Sequence, residues 1–166
     1  RLQPNHPTDN VKGVTASLLE GLSYGAADAV LGLNPAIDNV KSTTDILNLF
    51  NDVKSRLKIP TQICVLSHIT TQLKALKSGA PMDLCFQSIA GSEKALASFG
   101  TDVDMLAEAN ELMASKGTSI GPNYIYFETG QGSELSSNSH NGADQLVMES
   151  RCYGLARHYN PFLVNT

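Results

Sequence analysis

Apolar and polar positions follow two rhythms along the chain. Short apolar or β-branched runs recur, each bounded by turn residues: "AVLGLNP" (29–35), "TQICVLSH" (61–68), "DLCFQSIAG" (83–91), "NYIYFETGQG" (123–132) and "FLVNT" (162–166). These predict five strands. Between them, residues 11–24, 44–57, 70–77, 102–116 and 144–158 carry helical spacing. In the second of these, Ile46, Leu47, Leu49, Phe50, Val53 and Leu57 form one broad stripe, with Asp45, Asn48, Asp52 and Lys54 on the opposite face. Lys58 and Pro60 mark its end, and "KSGAP" closes the following helix with glycine and proline. Strands alternating with single helices imply right-handed βαβ crossovers and a parallel sheet. Coverage of that sheet on both faces would account for the near-continuous apolar runs. The predicted class is α/β. No Gly-rich dinucleotide fingerprint follows any strand, which removes the main support for a Rossmann sheet and favours a partial TIM barrel.

The candidate chemistry stands at the strand ends. The runs stop at polar residues: Arg1, Gln3, Asn5 and His6 in "RLQPNHP", Asn34 in "GLNP", Ser67 and His68 in "LSH", Gln87 and Ser88 in "FQS", and Glu128 in "FETGQGS". In a (β/α)8 barrel such ends converge on one face and surround one cavity. Taken singly, each has a plainer account, since polar groups at strand ends also satisfy loop amides. Glu128 is the sharpest case. A carboxylate that follows Tyr124, Ile125, Tyr126 and Phe127 needs a cationic partner or a proton if it is buried, and a structural salt bridge is the alternative to a ligand. His6 and His68 come with no H-x-H, H-E-x-x-H or carboxylate cluster at ligand spacing, so they read as hydrogen-bonded histidines and no metal site is expected. His140, in "SSNSHNGAD", falls in a loop before a helix whose N-cap is Asn138 or Asn141, and carries no role. "TGQGSELS" supplies Gly130 and Gly132 but no third glycine, an incomplete fingerprint whose glycines would still let a ligand approach the backbone.

Composition narrows the class further. With 166 residues, 42% hydrophobic and 17% charged, the chain has apolar material for one globular domain or part of one. A net charge of -4 with only 12 Lys and Arg leaves no basic surface for nucleic acid or an anionic membrane. No apolar run approaches the roughly 18 residues that cross a bilayer, and no leader is visible. Cys64, Cys85 and Cys152 lie far apart without a C-x-x-C pair, which suits buried free thiols in a reducing cytoplasm. The sequence opens on Arg1 without Met and stops on "FLVNT" without a turn or cap, as a fragment would.

Six blocks carry a resemblance: "RLQPNHPTDN", "GLSYGAADAVLGLNPAIDN", "PTQICVLSHITTQ", "FQSIAGSEKALASFG", "YFETGQGSELS" and "FLVNT". In this order they resemble the large subunit of ethanolamine ammonia-lyase, the adenosylcobalamin-dependent enzyme of bacterial ethanolamine catabolism, along essentially the whole chain. The resemblance implies a TIM barrel, with residues 1–166 a fragment of that single catalytic domain from the end of its first strand to the start of its sixth. It implies that Arg1 and Gln3 of the R-x-Q strand end, and Asn34 of the G-L-N-P turn, contact the substrate, and that Pro35 lies against the cofactor. Glu128 of F-E-T-G-Q-G-S would receive the substrate's amino group, making Glu128 and Arg1 the catalytic pair. Cobalamin contacts would fall on Gln87 and Ser88, on Phe99 of the S-F-G turn, and on Ser136. A further family carboxylate lies beyond residue 166. The D-x-H-x-x-G pattern that gives some cobalamin enzymes a histidine on cobalt is absent.

The implied reaction turns ethanolamine into acetaldehyde and ammonia, with the radical chemistry supplied by the cofactor. The implied partners are a small subunit that completes cobalamin binding and further large subunits, as a hexamer, in the cytoplasm or inside a bacterial microcompartment. Two other readings are a cobalamin-independent barrel enzyme on a small amino alcohol, with Glu128 as acid or base, and a catalytically silent assembly subunit.

Overall fold

A side chain that can accept a hydrogen bond stands immediately before each helix. In the computed structural model, which describes residues 1–130, 138 and 140–166, the elements run α1 (Val11–Ser23), β1 (Leu31–Leu33), α2 (Val40–Leu57), β2 (Ile63–Val65), α3 (Ile69–Lys77), β3 (Cys85–Ile89), α4 (Glu93–Ser98), α5 (Val103–Lys116), β4 (Ile125–Thr129), α6 (Gln145–His158) and β5 (Leu163–Asn165). Asn10, Asn39, His68, Ser92, Asp102 and Asp144 accept from backbone N–H groups of the first turn and so satisfy donors that the helix itself cannot. Asn39 explains why α2 begins four residues ahead of the stripe that predicts it. Asp144 corrects the expected cap of α6. Asn141 has φ +53 and precedes Gly142 at φ +78, a turn conformation, whereas Asp144 has the extended backbone that a cap requires. Helix α2 ends on Lys58 in the left-handed region, and Gly79, φ +91, follows α3.

All strand pairs are parallel. Leu31–Leu33 pairs with Ile63–Val65, β3 pairs with β4, and β4 pairs with β5. Leu2 bridges Leu31, also in parallel, and Leu84 N–H donates to Ile63 O at 3.1 Å, so the seam between β2 and β3 hangs on one backbone bond near its base. Higher up, the buried Gln72 amide of α3 fills that seam. Its oxygen accepts from Phe86 N–H at 2.9 Å, and its nitrogen donates to Phe86 O at 2.7 Å and Ser67 O at 2.6 Å. Backbone groups that the ladder leaves open are thereby paired.

The strands therefore follow one another in chain order, which sends every right-handed crossover to the same side. The main core forms there, with Leu31, Leu33, Ile63, Val65, Ile89, Ile125 and Phe127 packed against helix residues such as Val14, Ile46, Phe50, Leu73, Leu106 and Cys152. The other sheet face carries a second cluster, Cys64, Leu84, Phe86 and Tyr126, to which no helix residue contributes among those described. Coverage of both faces, expected from the apolar runs, is met by helices on one side and by this buried strand cluster on the other. Strand order decides which cover each face receives. At the base, Asp83 is fully buried; it accepts from Lys54 Nζ at 2.5 Å, Ile63 N–H at 3.0 Å and Thr118 Oγ1 at 2.6 Å, tying α2, β2 and the approach to β4 together. Cys64, Cys85 and Cys152 are buried and form no disulfide among the described residues. Among the described residues no helix is long and apolar enough to cross a membrane.

Candidate active site

Strand alternation sorts the strand-end residues between the two faces. Phe86, Tyr126 and Leu163 form one row across β3, β4 and β5, and two residues on, Ser88, Glu128 and Asn165 form the next row on the same helix-free face. The lower row is apolar and the upper one polar. Gln87 falls between them and faces the helices, where it is buried. Its Oε1 accepts from Ile69 N–H at 3.3 Å, at the start of α3, and its Nε2 donates to Ser88 O at 2.9 Å. Adjacent residues of "FQS" are thus on opposite sides of the sheet.

Glu128 is half-buried. Asn165 Nδ2 donates to its Oε1 at 3.0 Å, and among the described residues the ion pairs are Lys41–Asp45, Lys54–Asp83, Arg56–Asp52 and Lys77–Glu108, none involving Glu128. The alternative of a structural salt bridge finds no partner among those residues. Asn165 Oδ1 is buried without a hydrogen-bond partner.

Arg1 approaches from the first strand end. Its Nη1 donates to Tyr126 Oη at 2.9 Å, and its guanidinium carbon lies 5.5 Å from the centre of the same ring. Room for its stem comes from Gly32, where a Cβ would lie 2.6 Å from Arg1 Cδ and 2.9 Å from Cys64 Sγ. A guanidinium offers only donors, so the Gln3 amide turns its oxygen toward it and accepts from Nε at 2.7 Å and from the second terminal nitrogen. The Asn34 amide stands 3.4 Å beyond, on the far side of Gln3. Burial pushes the Tyr126 phenol above its ordinary pKa, with Arg1 opposing and Glu128 reinforcing. The phenol thus stays neutral and can accept from Arg1. Burial likewise pushes the Cys64 thiol up to about 12, against the pull of Arg1.

The loop after β1 is pinned from the N-terminal segment. Asn5 Oδ1 accepts from Asn34 N–H at 3.0 Å, and the buried Asp9 carboxylate accepts from Ala36 N–H at 2.8 Å and Ile37 N–H at 2.9 Å. These bonds set the position of Asn34 and the half-buried Pro35. His6 and His68 are hydrogen-bonded, as expected. His6 Nδ1 accepts from Thr8 and Asn10 N–H, and His68 caps α3 while its Nε2 donates to Phe99 O at 3.0 Å. Ser67 faces the helices and bonds Thr43 Oγ1 at 2.6 Å.

Next to Glu128 opens a cleft of about 500 Å³ that brings Ser88, Phe99, Glu128, Gly130 and Glu149 together. The Phe99 ring lies over Gly130, where any Cβ would overlap it. A larger groove of about 940 Å³ runs between α4, α5 and α6 on the helix side. It contains none of the strand-end groups, whereas the smaller cleft meets them at Ser88 and Glu128; Arg1, Gln3 and Asn34 do not line that cleft. Ser136 lies outside the described residues. Two residues of the site went unpredicted. Tyr126 was visible by counting back two from Glu128, and Asn165 by the same strand-end rule that picks out the others.

The model of the ethanolamine ammonia lyase large subunit family matches residues 1–166. The chain is 54% identical over 166 residues to the ethanolamine ammonia-lyase large subunit of Salmonella typhimurium and 52% identical to that of Escherichia coli. Each alignment takes in 100% of this chain and 37% of the relative, so the chain spans well under half the length of the curated relatives it matches.

Proposed function

The chain belongs to the ethanolamine ammonia-lyase large-subunit family, and on that basis we propose that its strand ends form the substrate side of an enzyme converting ethanolamine to acetaldehyde and ammonia with adenosylcobalamin. The observation that carries this reading is Glu128: a half-buried carboxylate, held by Asn165, with no cation among the described residues to balance it. Ethanolamine is a cation at neutral pH. A carboxylate in a low-dielectric site pairs with it strongly and discriminates against neutral alcohols.

Asn165 occupies Oε1 and leaves Oε2 to the substrate's ammonium group. The hydroxyl end needs donors and acceptors, which Arg1, Gln3 and Asn34 supply. The Arg1 guanidinium, a planar cation with a fork of N–H donors, stabilises negative charge growing on that oxygen as the carbon–nitrogen bond breaks. No side chain is required as a covalent nucleophile. When bound, the cofactor supplies radical chemistry that amino-acid side chains lack.

The residues fit such a group in part. The cleft beside Glu128 is in the size range of small-molecule sites, and its backbone at Gly130 is bare enough for the Phe99 ring to lie on it. It suits the adenosyl end rather than the whole corrin, with Ser88 and Phe99 as its walls. Pro35 and Ser136 belong to the same proposed contact set, and Gln87 enters it by resemblance alone.

Parallel strands in chain order with helices on one side are what a (β/α)8 barrel requires. Residues 1–166 are accordingly proposed as the part of that single domain from the end of its first strand to the start of its sixth. The small subunit, the hexamer of large subunits and a cytoplasmic or microcompartment setting complete the proposal. The test uses a chain of the relatives' full length carrying these residues, co-expressed with its small subunit, mixed with adenosylcobalamin and ethanolamine and frozen during turnover. Electron paramagnetic resonance is expected to show cobalt(II) coupled to an organic radical only when ethanolamine is present. Failure to bind cobalamin would overturn the reading.

A further inference from the structure

Tyr126 is buried to 1% exposure, yet its hydroxyl is hydrogen-bonded to the exposed Arg1. Its ring belongs to the apolar layer, edge-on to Phe86 at 5.2 Å between centroids. Its oxygen accepts from Arg1 Nη1 at 2.9 Å, and its face receives the same guanidinium. Asn165, which also donates to Glu128, acts on the same phenol. One residue therefore touches the group proposed for the substrate's hydroxyl and neighbours the pair proposed for its ammonium.

We propose that Tyr126 is a positioning residue that fixes the Arg1 guanidinium at the hydroxyl end of the substrate pocket; this rests on the reading of the pocket as an ethanolamine site. An arginine side chain has four rotatable bonds and loses much freedom when held. Here Gly32 gives its stem a slot and Gln3 takes one edge of the fork. Tyr126 takes the other edge and the flat face, so that the fork's direction is set from two sides. Phenylalanine at this position keeps the ring and the packing but removes the acceptor, leaving Arg1 with one polar anchor instead of two.

The experiment is a double-mutant cycle in the intact two-subunit enzyme with adenosylcobalamin: Tyr126→Phe, Arg1→Ala and both together. The readouts are kcat/KM for ethanolamine and, so that a slow Arg1→Ala variant still reports, ethanolamine affinity by calorimetry. Tyr126→Phe is expected to lower kcat/KM by about 10- to 100-fold when Arg1 is present, and by less than about twofold once Arg1→Ala has been made. A merely structural role would give the same loss in both backgrounds, and that result would overturn the inference, as would an unaltered Tyr126→Phe enzyme. If the unsubstituted enzyme fails to turn over ethanolamine, the proposed function falls and takes this inference with it. Turnover by the unsubstituted enzyme together with independent effects removes the inference alone.

Discussion

Gly32→Ala is the smallest change that tests the arrangement around Arg1. Gly32 lies outside the left-handed region, so alanine meets no backbone strain there. The added methyl would stand 2.6 Å from Arg1 Cδ, 3.1 Å from Arg1 Cγ and 2.9 Å from Cys64 Sγ. Something must shift. Cys64 is enclosed in the strand layer, whereas Arg1 is a flexible side chain with solvent to move into, so Arg1 gives way and leaves Tyr126 and Gln3. Losing a charged hydrogen bond of this kind costs about 1.5–3 kcal/mol, which corresponds to a fall in kcat/KM of roughly 10- to 100-fold. Crowding against Cys64 lowers folding stability by about 1–2 kcal/mol. Steady-state kinetics with ethanolamine and a thermal melt, both on the cobalamin-loaded enzyme, separate the two effects. Adding Cys64→Ala to Gly32→Ala relieves the sulfur contact, so it should raise the melting temperature while leaving turnover low. Full turnover by Gly32→Ala would refute the account of the Arg1 slot. Recovery of turnover in the double variant would assign the loss to Cys64 instead.

Glu128→Gln keeps the shape and the bond from Asn165 but removes the charge. It should raise KM and lower kcat, together about 100-fold or more in kcat/KM, while cobalamin binding and the melting temperature stay put; unchanged kcat/KM would strip Glu128 of its role. Asp83→Asn leaves Lys54, only 14% exposed, without its counter-charge, and should cost on the order of 3 kcal/mol in urea titration; a loss below about 1 kcal/mol would show that Lys54 escapes to water. The buried thiols predict an alkaline weakness. Cys64 and Cys85 stand near 12 in the folded chain against 9.0 as the reference value, raised first by burial. Above pH 9 the unfolded chain releases these protons and the folded chain does not, so stability is intact below pH 9 and falls above it, by about 1.4 kcal/mol per pH unit for each thiol. Urea midpoints at pH 8, 9 and 10 should show that slope, and Cys64→Ala with Cys85→Ala should reduce it to the part left by Cys152, which burial also raises to about 12; a flat profile in the unsubstituted protein would refute the burial argument.

Much of this architecture is legible from residue order because helix stripes and caps are local. Asp102 stands at the predicted start of its helix and caps it, and the α2 stripe recurs in the core as Ile46, Leu47, Phe50 and Val53. The equally local caps Asn39 and Asp144 are missed, the first for a later start and the second for Asn138 or Asn141. Helix α4 escapes notice because six residues make less than two turns, too few for a period to register. Which sheet face the helices cover is not local at all. Leu31, Leu33, Ile63 and Val65 would look the same in a sheet wound both ways, and only the neighbour order β1, β2, β3, β4, β5 turns them toward one helix layer. The strand-end rule names Arg1, Gln3, Asn34, Ser88 and Glu128 as candidates, but it carries no parity. It therefore groups Gln87 with Ser88 although one residue of offset sends Gln87 to the helix side.

Parity also explains why Tyr126 escapes a reading by residue class. Within "YIYFE" it counts as apolar, and its ring does belong to the layer of Phe86, Cys64 and Leu163. The rise of a strand, about 3.3 Å per residue, separates that layer from the row of Ser88, Glu128 and Asn165 by two residues, close to the length of a phenol. A tyrosine in the upper apolar row can thus place its oxygen in the polar row without moving its backbone. A phenylalanine could not serve the guanidinium, and a serine would leave the apolar layer with a hole. The boundary between the two layers is where a side chain apolar along its length and polar at its tip is the one that satisfies both, and that is the position where Arg1 comes to rest.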